Sequence, residues 1–213
     1  MILIAVRHGE TEWNLQGREQ GHLDSTLTER GAKQAHALAR RLSSIHFHAL
    51  YSSDLGRAVQ TAEIIASVCG KQVQLDPGLR ERHMGTFQGL TQEEMRRKYP
   101  KEQDEYERTG FFHTVAGGES ATERLERSAK VFTNIAERHA NQTVIGVTHG
   151  GFLMGFLEHV LGLPFGNGWR FKKQNASFNA FEYVNSTWSL QTWNDLSHLN
   201  GLSTLVDPSI HAG

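Results

Sequence analysis

The amino-acid sequence predicts an α/β fold: a three-layer α/β/α sandwich on a mostly parallel sheet, with an antiparallel edge and a small helical insertion. Three observations carry this expectation. Short apolar runs alternate with segments whose apolar residues recur at three- and four-residue steps, as strands alternate with amphipathic helices. Two of those runs end alike, at His8-Gly9 and His149-Gly150, and in a parallel sheet both ends lie on one edge, where ligands bind. Near the C-terminus, Ala176 to Val184 and Thr187 to Trp193 alternate loosely and join at Asn185-Ser186, as a hairpin does.

Taken in order, Ile2 to Val6 is an apolar run, a buried strand that opens into Arg7-His8-Gly9-Glu10-Thr11-Glu12-Trp13-Asn14. Gln20 to Ser25 shows no apolar period and reads as loop. Thr28 is a helix N-cap, and Ala32, Ala35, Leu38, Ala39 and Leu42 mark one face of a helix over roughly Glu29 to Ser43. Phe47 to Tyr51 is a second short strand. Ser52-Ser53-Asp54 then supply a capping cluster for a second helix, which runs to about Val68 before Gly70 stops it. Gln72 to Leu75 forms a third strand, and Asp76-Pro77-Gly78 a turn. Leu79 to Gly89, dense in charge and carrying two glycines, is an irregular loop. Residues 91 to 109 are charged and helical in tendency, interrupted at Pro100, and suit a cap that Gly117-Gly118 ends. Ser120-Ala121-Thr122-Glu123 is a capping box opening a helix to about His139. Thr143 to Val147 is the next strand, and a helix from about Phe152 to Leu161 is stopped by Gly162 and Pro164. Residues from about Asn200 form a tail. No repeat, low-complexity block or linker divides the chain, so residues 1–213 read as one domain with an insertion at about 90–118.

A chain of 213 residues is long enough to bury a core without staples. A net charge of −1 gives no reason to expect nucleic acid or a membrane as partner, so an anion site has to be a local concentration of positive charge. Cys69 is the only cysteine, which excludes an intrachain disulfide and a cysteine-based zinc site. No apolar segment suits a signal sequence or a membrane span, and the chain reads as cytoplasmic.

The chemistry gathers at the strand ends. Arg57 falls in the first turn of the second helix, where a cation opposes the positive end of the helix dipole unless an anion sits between them. In a parallel sheet, Arg7, His8, Arg57 and His149 converge in one positive pocket, and backbone N–H groups at helix starts add to it. Such a group binds a phosphoryl dianion. The usual phosphate devices are absent: there is no GxxxxGK[ST] loop, and Gly166-Asn167-Gly168 lacks the third glycine of a dinucleotide fingerprint. No metal is expected, because no HExxH occurs and the interleaved arginines would repel a divalent cation.

Arg7 to Asn14, Gln20-Gly21, Leu27-Thr28-Glu29-Arg30-Gly31, Ser52 to Arg57, Leu79-Arg80-Glu81 and Thr148-His149-Gly150 together resemble the histidine phosphatase superfamily. Within it they are most similar to the phosphoglycerate-mutase-like branch, and the match covers nearly the whole chain in order. The resemblance implies a two-step phosphoryl transfer on a small phosphorylated metabolite, with no metal and no cofactor. His8 would be the nucleophile and form a phosphohistidine. Arg7, Arg57 and His149 would hold the equatorial oxygens. Asn14 and Gly150 would contact the phosphate, and Gln20-Gly21 would line the pocket entrance. Glu81 would be the proton donor, with a pKa expected to rise toward neutrality in a desolvated site beside the phosphate. Glu10, inside the phosphate loop, is the weaker candidate for that acid.

Glu81-Arg82-His83-Met84-Gly85 is close to the ERHYG stretch of the cofactor-dependent mutases. Those enzymes also need a longer insertion and a paired arginine, whereas Arg108 is followed by Thr109 and Gly110. A phosphatase is the preferred reading, a mutase the alternative, and a phosphate-ester-binding regulator without turnover a third. Met84, Phe87 and parts of residues 102 to 118 are expected to form the wall that selects the ester. The hairpin with Trp188 and Trp193 is expected to be either a homodimer interface or core.

Overall fold

The computed structural model describes residues 1–163 and 170–203, the side chain of Phe111 excepted. The expectations placed on Pro164, on residues 166–168 and on the end of the tail lie outside the described residues. Among the described residues there are six strands and seven α-helices. The strands are β1 (Ile2–Arg7), β2 (Ala49–Ser52), β3 (Val73–Leu75), β4 (Thr143–Thr148), β5 (Phe178–Val184) and β6 (Thr187–Asp195). The helices are α1 (Glu12–Gln16), α2 (Glu29–Leu42), α3 (Gly56–Cys69), α4 (Gln92–Lys98), α5 (Pro100–Thr109), α6 (Ala121–Arg138) and α7 (Gly150–Leu161).

The strands form one sheet in the order β3-β2-β4-β1-β5-β6. The first four are mutually parallel, and the β5–β6 hairpin adds the antiparallel edge. The strands with the longest unbroken apolar runs, β1 and β4, lie side by side at the centre, where both faces are covered. Successive residues of a strand point to opposite faces. Ile4, Val6, Ile145 and Val147 therefore pack in one core with Leu38 and Leu42 of α2 and Ala58, Ala62 and Ile65 of α3. Leu3, Ala5 and Val144 pack in a second core with Phe132 and Ile135 of α6 and Phe152 and Phe156 of α7. This is the expected three-layer sandwich.

The register of the central pair positions the site. Arg7 pairs with Thr148, so the next residues, His8 and His149, leave the same sheet edge together.

Several local expectations need correction. Helix α1 leaves no apolar period in the sequence because it is one short turn with no buried residue. It forms through a capping box in which Thr11 and Asn14 bond reciprocally, and Gly17 ends it in the left-handed region at φ 63°. Ser52-Ser53-Asp54 do not cap α3. Its N-cap is Leu55, which makes no side-chain cap bond. The carboxylate of Asp24 accepts instead from Gly56 N at 2.6 Å and Arg57 N at 3.3 Å, a long-range cap that no local rule detects. Helix α7 begins two residues earlier than expected, at Gly150, which brings its first N–H groups onto the strand ends.

The insertion is a helix pair broken at Tyr99, with Pro100 in the first turn of α5. Met84 and Phe87, expected in a pocket wall, are instead buried with Met95 and Val115 in a small apolar cluster beneath it. Trp188 is buried in the core, its ring 5.0 Å from that of Phe156, and the partly buried Trp193 packs against it, 6.4 Å from Phe181. No described helix is long and apolar enough to cross a membrane.

Candidate active site

His8 leaves β1 with its backbone pinned. Its N–H donates to Thr148 O at 3.0 Å, and its carbonyl accepts from Ala176 N at 3.2 Å and from Asn175 Nδ2 at 3.1 Å. Gly9 then runs hard against α2, where any Cβ would collide with the carbonyl of Gly31. The His8 Nδ1 lies 2.7 Å from Gly9 O. A carbonyl only accepts, so Nδ1 carries a proton, and in the neutral ring Nε2 carries the lone pair. Glu10 has a structural role: it is buried, accepts from Thr28 Oγ1 at 2.8 Å and is gripped by Arg30, which ties the loop to the start of α2.

His149, at the N-cap of α7, is fully buried, with its ring centroid 5.2 Å from that of His8. Its Nε2 lies 2.9 Å from Ser53 Oγ, and its Nδ1 has no hydrogen-bond partner among the described residues. Burial, with Arg57, His8 and Arg7 close by, holds its pKa well below the usual imidazole value. The ring is therefore neutral at neutral pH.

Arg57 is 1% exposed. Its Nη1 donates to Asp24 Oδ1 and Leu23 O, and its Nη2 to Gly21 O, each at 2.8 Å. The anion that a cation at this helix start requires is thus partly supplied by the chain, as Asp24. The buried Nε of Arg57 has no partner among the described residues. Arg57 in turn holds the loop carrying Gln20 and Gly21. Gly21 has φ +51°, and a side chain there would overlap that of Gln88. Gln20 is buried, and its Oε1 has no partner among the described residues. Amide oxygen and nitrogen are interchangeable by rotation, so Gln20 can offer an acceptor or a donor there.

Asn14 Oδ1 accepts from Thr11 N, Thr11 Oγ1 and Asn175 Nδ2, each at 3.1 Å. Its amide oxygen is thus satisfied, and its NH2 group can donate elsewhere. Asn175, which bridges His8 and Asn14, belongs to no motif read from the sequence, and neither does Lys173. The Lys173 carbonyl accepts from Arg7 Nη1. Both side chains crowd Gly150, where a Cβ would lie 3.2 Å from Lys173 Cδ and 3.3 Å from Arg7 Nε. A glycine at that helix position lets two cations reach the start of α7.

Glu81 reaches the same helix start. Its carboxylate accepts from Gly151 N at 2.8 Å, Phe152 N at 2.9 Å and Arg82 N at 2.8 Å. Burial pushes its pKa up, but those backbone donors, Lys173 and Arg57 outweigh it and hold the group below the ordinary glutamate value. The expected rise toward neutrality is therefore not found in the protein alone. The reason is local: a carboxylate at a helix N-terminus with three N–H donors is stabilised in its charged form.

The structure brings Arg7, His8, Asn14, Arg57, Glu81, His149 and Gly150, with the loop that carries Gln20 and Gly21, into one neighbourhood at the ends of the parallel strands. No three His, Cys, Asp or Glu side chains among the described residues are grouped as a metal-ligand set. The arrangement can fix a histidine lone pair beside donors and cations suited to an anion, with a carboxyl group at its margin.

Residues 3–196 match the family model for the histidine phosphatase superfamily (branch 1). Phosphoglycerate mutase-like protein 4 of Arabidopsis thaliana is 37% identical over 201 residues, covering 92% of this chain and 86% of the relative. The metal-independent phosphoserine phosphatase of the same plant is 37% identical over 206 residues, covering 95% and 85%. Among solved structures, YhfR of Bacillus stearothermophilus superposes with a TM-score of 0.87 at 32% identity, covering 93% of this chain and 99% of that one. The chain belongs to branch 1 of the histidine phosphatase superfamily.

Proposed function

We propose that this phosphatase hydrolyses small phosphate monoesters in two steps through a phosphohistidine on His8. One observation carries the reading. Beside a histidine whose Nδ1 is held by Gly9 O, Arg57 Nε and His149 Nδ1 are buried with no partner among the described residues. A buried donor left unsatisfied costs about 1–3 kcal/mol, and a phosphoryl dianion offers the acceptors.

In the first step His8 Nε2 attacks phosphorus in line, the ester P–O bond breaks, and the leaving alkoxide takes a proton from Glu81. In the second, the Glu81 carboxylate takes a proton from water as that water attacks the phosphohistidine, releasing phosphate and restoring His8. Arg7, Arg57 and His149, with Asn14, Gln20 and the N–H of Gly150, hold the non-bridging oxygens, and Gly21 shapes the entrance. The substrate dianion next to Glu81 raises its pKa, toward the protonated form that the first step uses. Residues at about 90–118 act as a cap within a single domain, a reading supported by Arg82, which donates to Glu119 O and His113 O at 2.8 Å. We place the chain in the cytoplasm, in keeping with a metabolite substrate and a single cysteine.

Phosphoserine, named in the Arabidopsis relative, is the first ester to test. The mutase alternative draws on the mutase-like name of another relative and on the Glu81 to Gly85 stretch. Against it, Arg108 is 71% exposed and pairs with Glu105 on its own helix.

The test is a panel of phosphoserine, 3-phosphoglycerate and an aryl phosphate, with acid-labile phosphoenzyme trapped in parallel. We expect inorganic phosphate, and a trapped phosphohistidine that His8→Ala abolishes. Conversion of 3-phosphoglycerate to 2-phosphoglycerate without phosphate release would establish the mutase instead, and full activity in His8→Ala would refute the covalent route.

A further inference from the structure

Ser53 is fully buried at the end of β2. The β2–β4 register pairs Ser52 with Val147, so Ser53 comes level with Thr148 and its side chain meets the following residue, His149. The Ser53 N–H donates to Val147 O at 2.9 Å, which anchors the residue on β4. Among the described residues its hydroxyl has two hydrogen-bonding neighbours, Leu55 N at 3.2 Å and His149 Nε2 at 2.9 Å. Leu55 N–H can only donate, so among the described residues the hydroxyl hydrogen has one acceptor, the lone pair of His149 Nε2. The reverse arrangement, with Nε2–H donating to Ser53, makes the oxygen accept twice and buries the hydroxyl hydrogen without a partner.

The choice has a chemical consequence. A neutral imidazole has one N–H, and the nitrogen that carries it is set by the hydrogen bond at the other. His149 is neutral because it is buried among Arg57, His8 and Arg7. With Nε2 as acceptor the proton sits on Nδ1, the buried atom that has no partner among the described residues. With Nε2 as donor, Nδ1 would set a lone pair against an anion.

We propose that Ser53 is a positioning residue whose hydroxyl holds His149 as the Nδ1–H tautomer, so that the imidazole meets the phosphoryl group as a donor. This rests on the reading of His149 as a phosphoryl-holding residue.

Long-range proton–nitrogen correlation spectra of nitrogen-15-histidine-labelled protein read the tautomer directly, with the His149 signals identified by their loss in His149→Asn. We expect a protonated Nδ1 and an unprotonated Nε2 in the wild type. Ser53→Ala shifts the proton toward Nε2 and lowers kcat on an aryl phosphate by about tenfold or more, the direction a wrong tautomer imposes on a catalytic histidine. KM changes less than kcat, and Ser53→Thr, which keeps the hydroxyl, restores both spectrum and rate. A wild-type proton on Nε2, or an unchanged tautomer in folded Ser53→Ala, overturns the proposal. The wild-type spectrum needs no variant, so misfolding of Ser53→Ala leaves the test standing. It also needs no turnover. Absence of phosphohistidine with the proton on Nδ1 would count against the reaction and not against the role of Ser53 in the tautomer.

Discussion

The Glu81 carboxylate fills the space that a side chain on Gly151 would occupy, and accepts the Gly151 N–H at 2.8 Å. Gly151→Ala therefore displaces the proposed proton donor without altering the side chains proposed to hold phosphate. General acid–base catalysis contributes roughly 10²–10⁴-fold. We expect kcat on phosphoserine to fall by about tenfold to a hundredfold, with circular dichroism unchanged. A variant with wild-type kcat would show that this contact does not position the acid.

Lys173 is one of the cations that hold Glu81 in its charged form. Removing it raises the pKa of Glu81. If Glu81 must be protonated to start the reaction, the fall in kcat/KM at high pH moves to higher pH in Lys173→Met. A pH–rate profile on phosphoserine checks this, and a shift toward lower pH contradicts it.

Asp24 both caps α3 and pairs with Arg57. Losing a capping side chain costs about 0.5–2 kcal/mol, and a released Arg57 samples orientations that do not face the proposed phosphate. Asp24→Ala should therefore unfold at lower urea concentration and show a several-fold higher KM. Unchanged values for both would mean that Arg57 is held by the two carbonyl bonds alone.

Acid should destabilise the protein in two windows. The Arg18 ion pair lowers the pKa of Glu94 to about 2, from an ordinary 4.5. Its folded pKa lies below its unfolded one, so its contribution is complete above about 4.5 and is lost as pH falls toward about 2. His149 acts at higher pH. Its folded pKa lies well below 6.5, so the unfolded chain takes up a proton that the folded one refuses, and stability declines as pH falls below 6.5. Urea midpoints measured against pH should show both slopes. Glu94→Gln should flatten the lower one and His149→Asn the upper one.

Much of the fold and most of the site could be read from the residues in order. Strand ends were visible because an apolar run that stops at His8-Gly9 or His149-Gly150 is a local pattern, and the amphipathic period of α2 is another. What escaped depends on contacts between distant segments. Asn175 and Lys173 precede β5 without a motif, and only the placement of β5 beside β1 brings them to His8, Arg7 and Gly150. Met84 and Phe87 follow Glu81 in sequence, which suggests a pocket wall, but apolar side chains next to an insertion pack under it. The sequence allows burial of Glu81 to be anticipated, but not the three N–H donors from α7 and from Arg82 that lower its pKa.

The sequence by itself determined the alternation of strands and helices, the central apolar strands and the identity of the histidines, arginines and glutamate, since each is a property of short stretches. The tertiary structure decided which of their atoms find partners within the protein. The Arg7–Thr148 register sets His8 beside His149, Asp24 accepts from Arg57 Nη1, and Ser53 meets His149 Nε2. A hydrogen bond is directional and ends within a few ångströms, so its partner is known only once the chain has brought the two groups together.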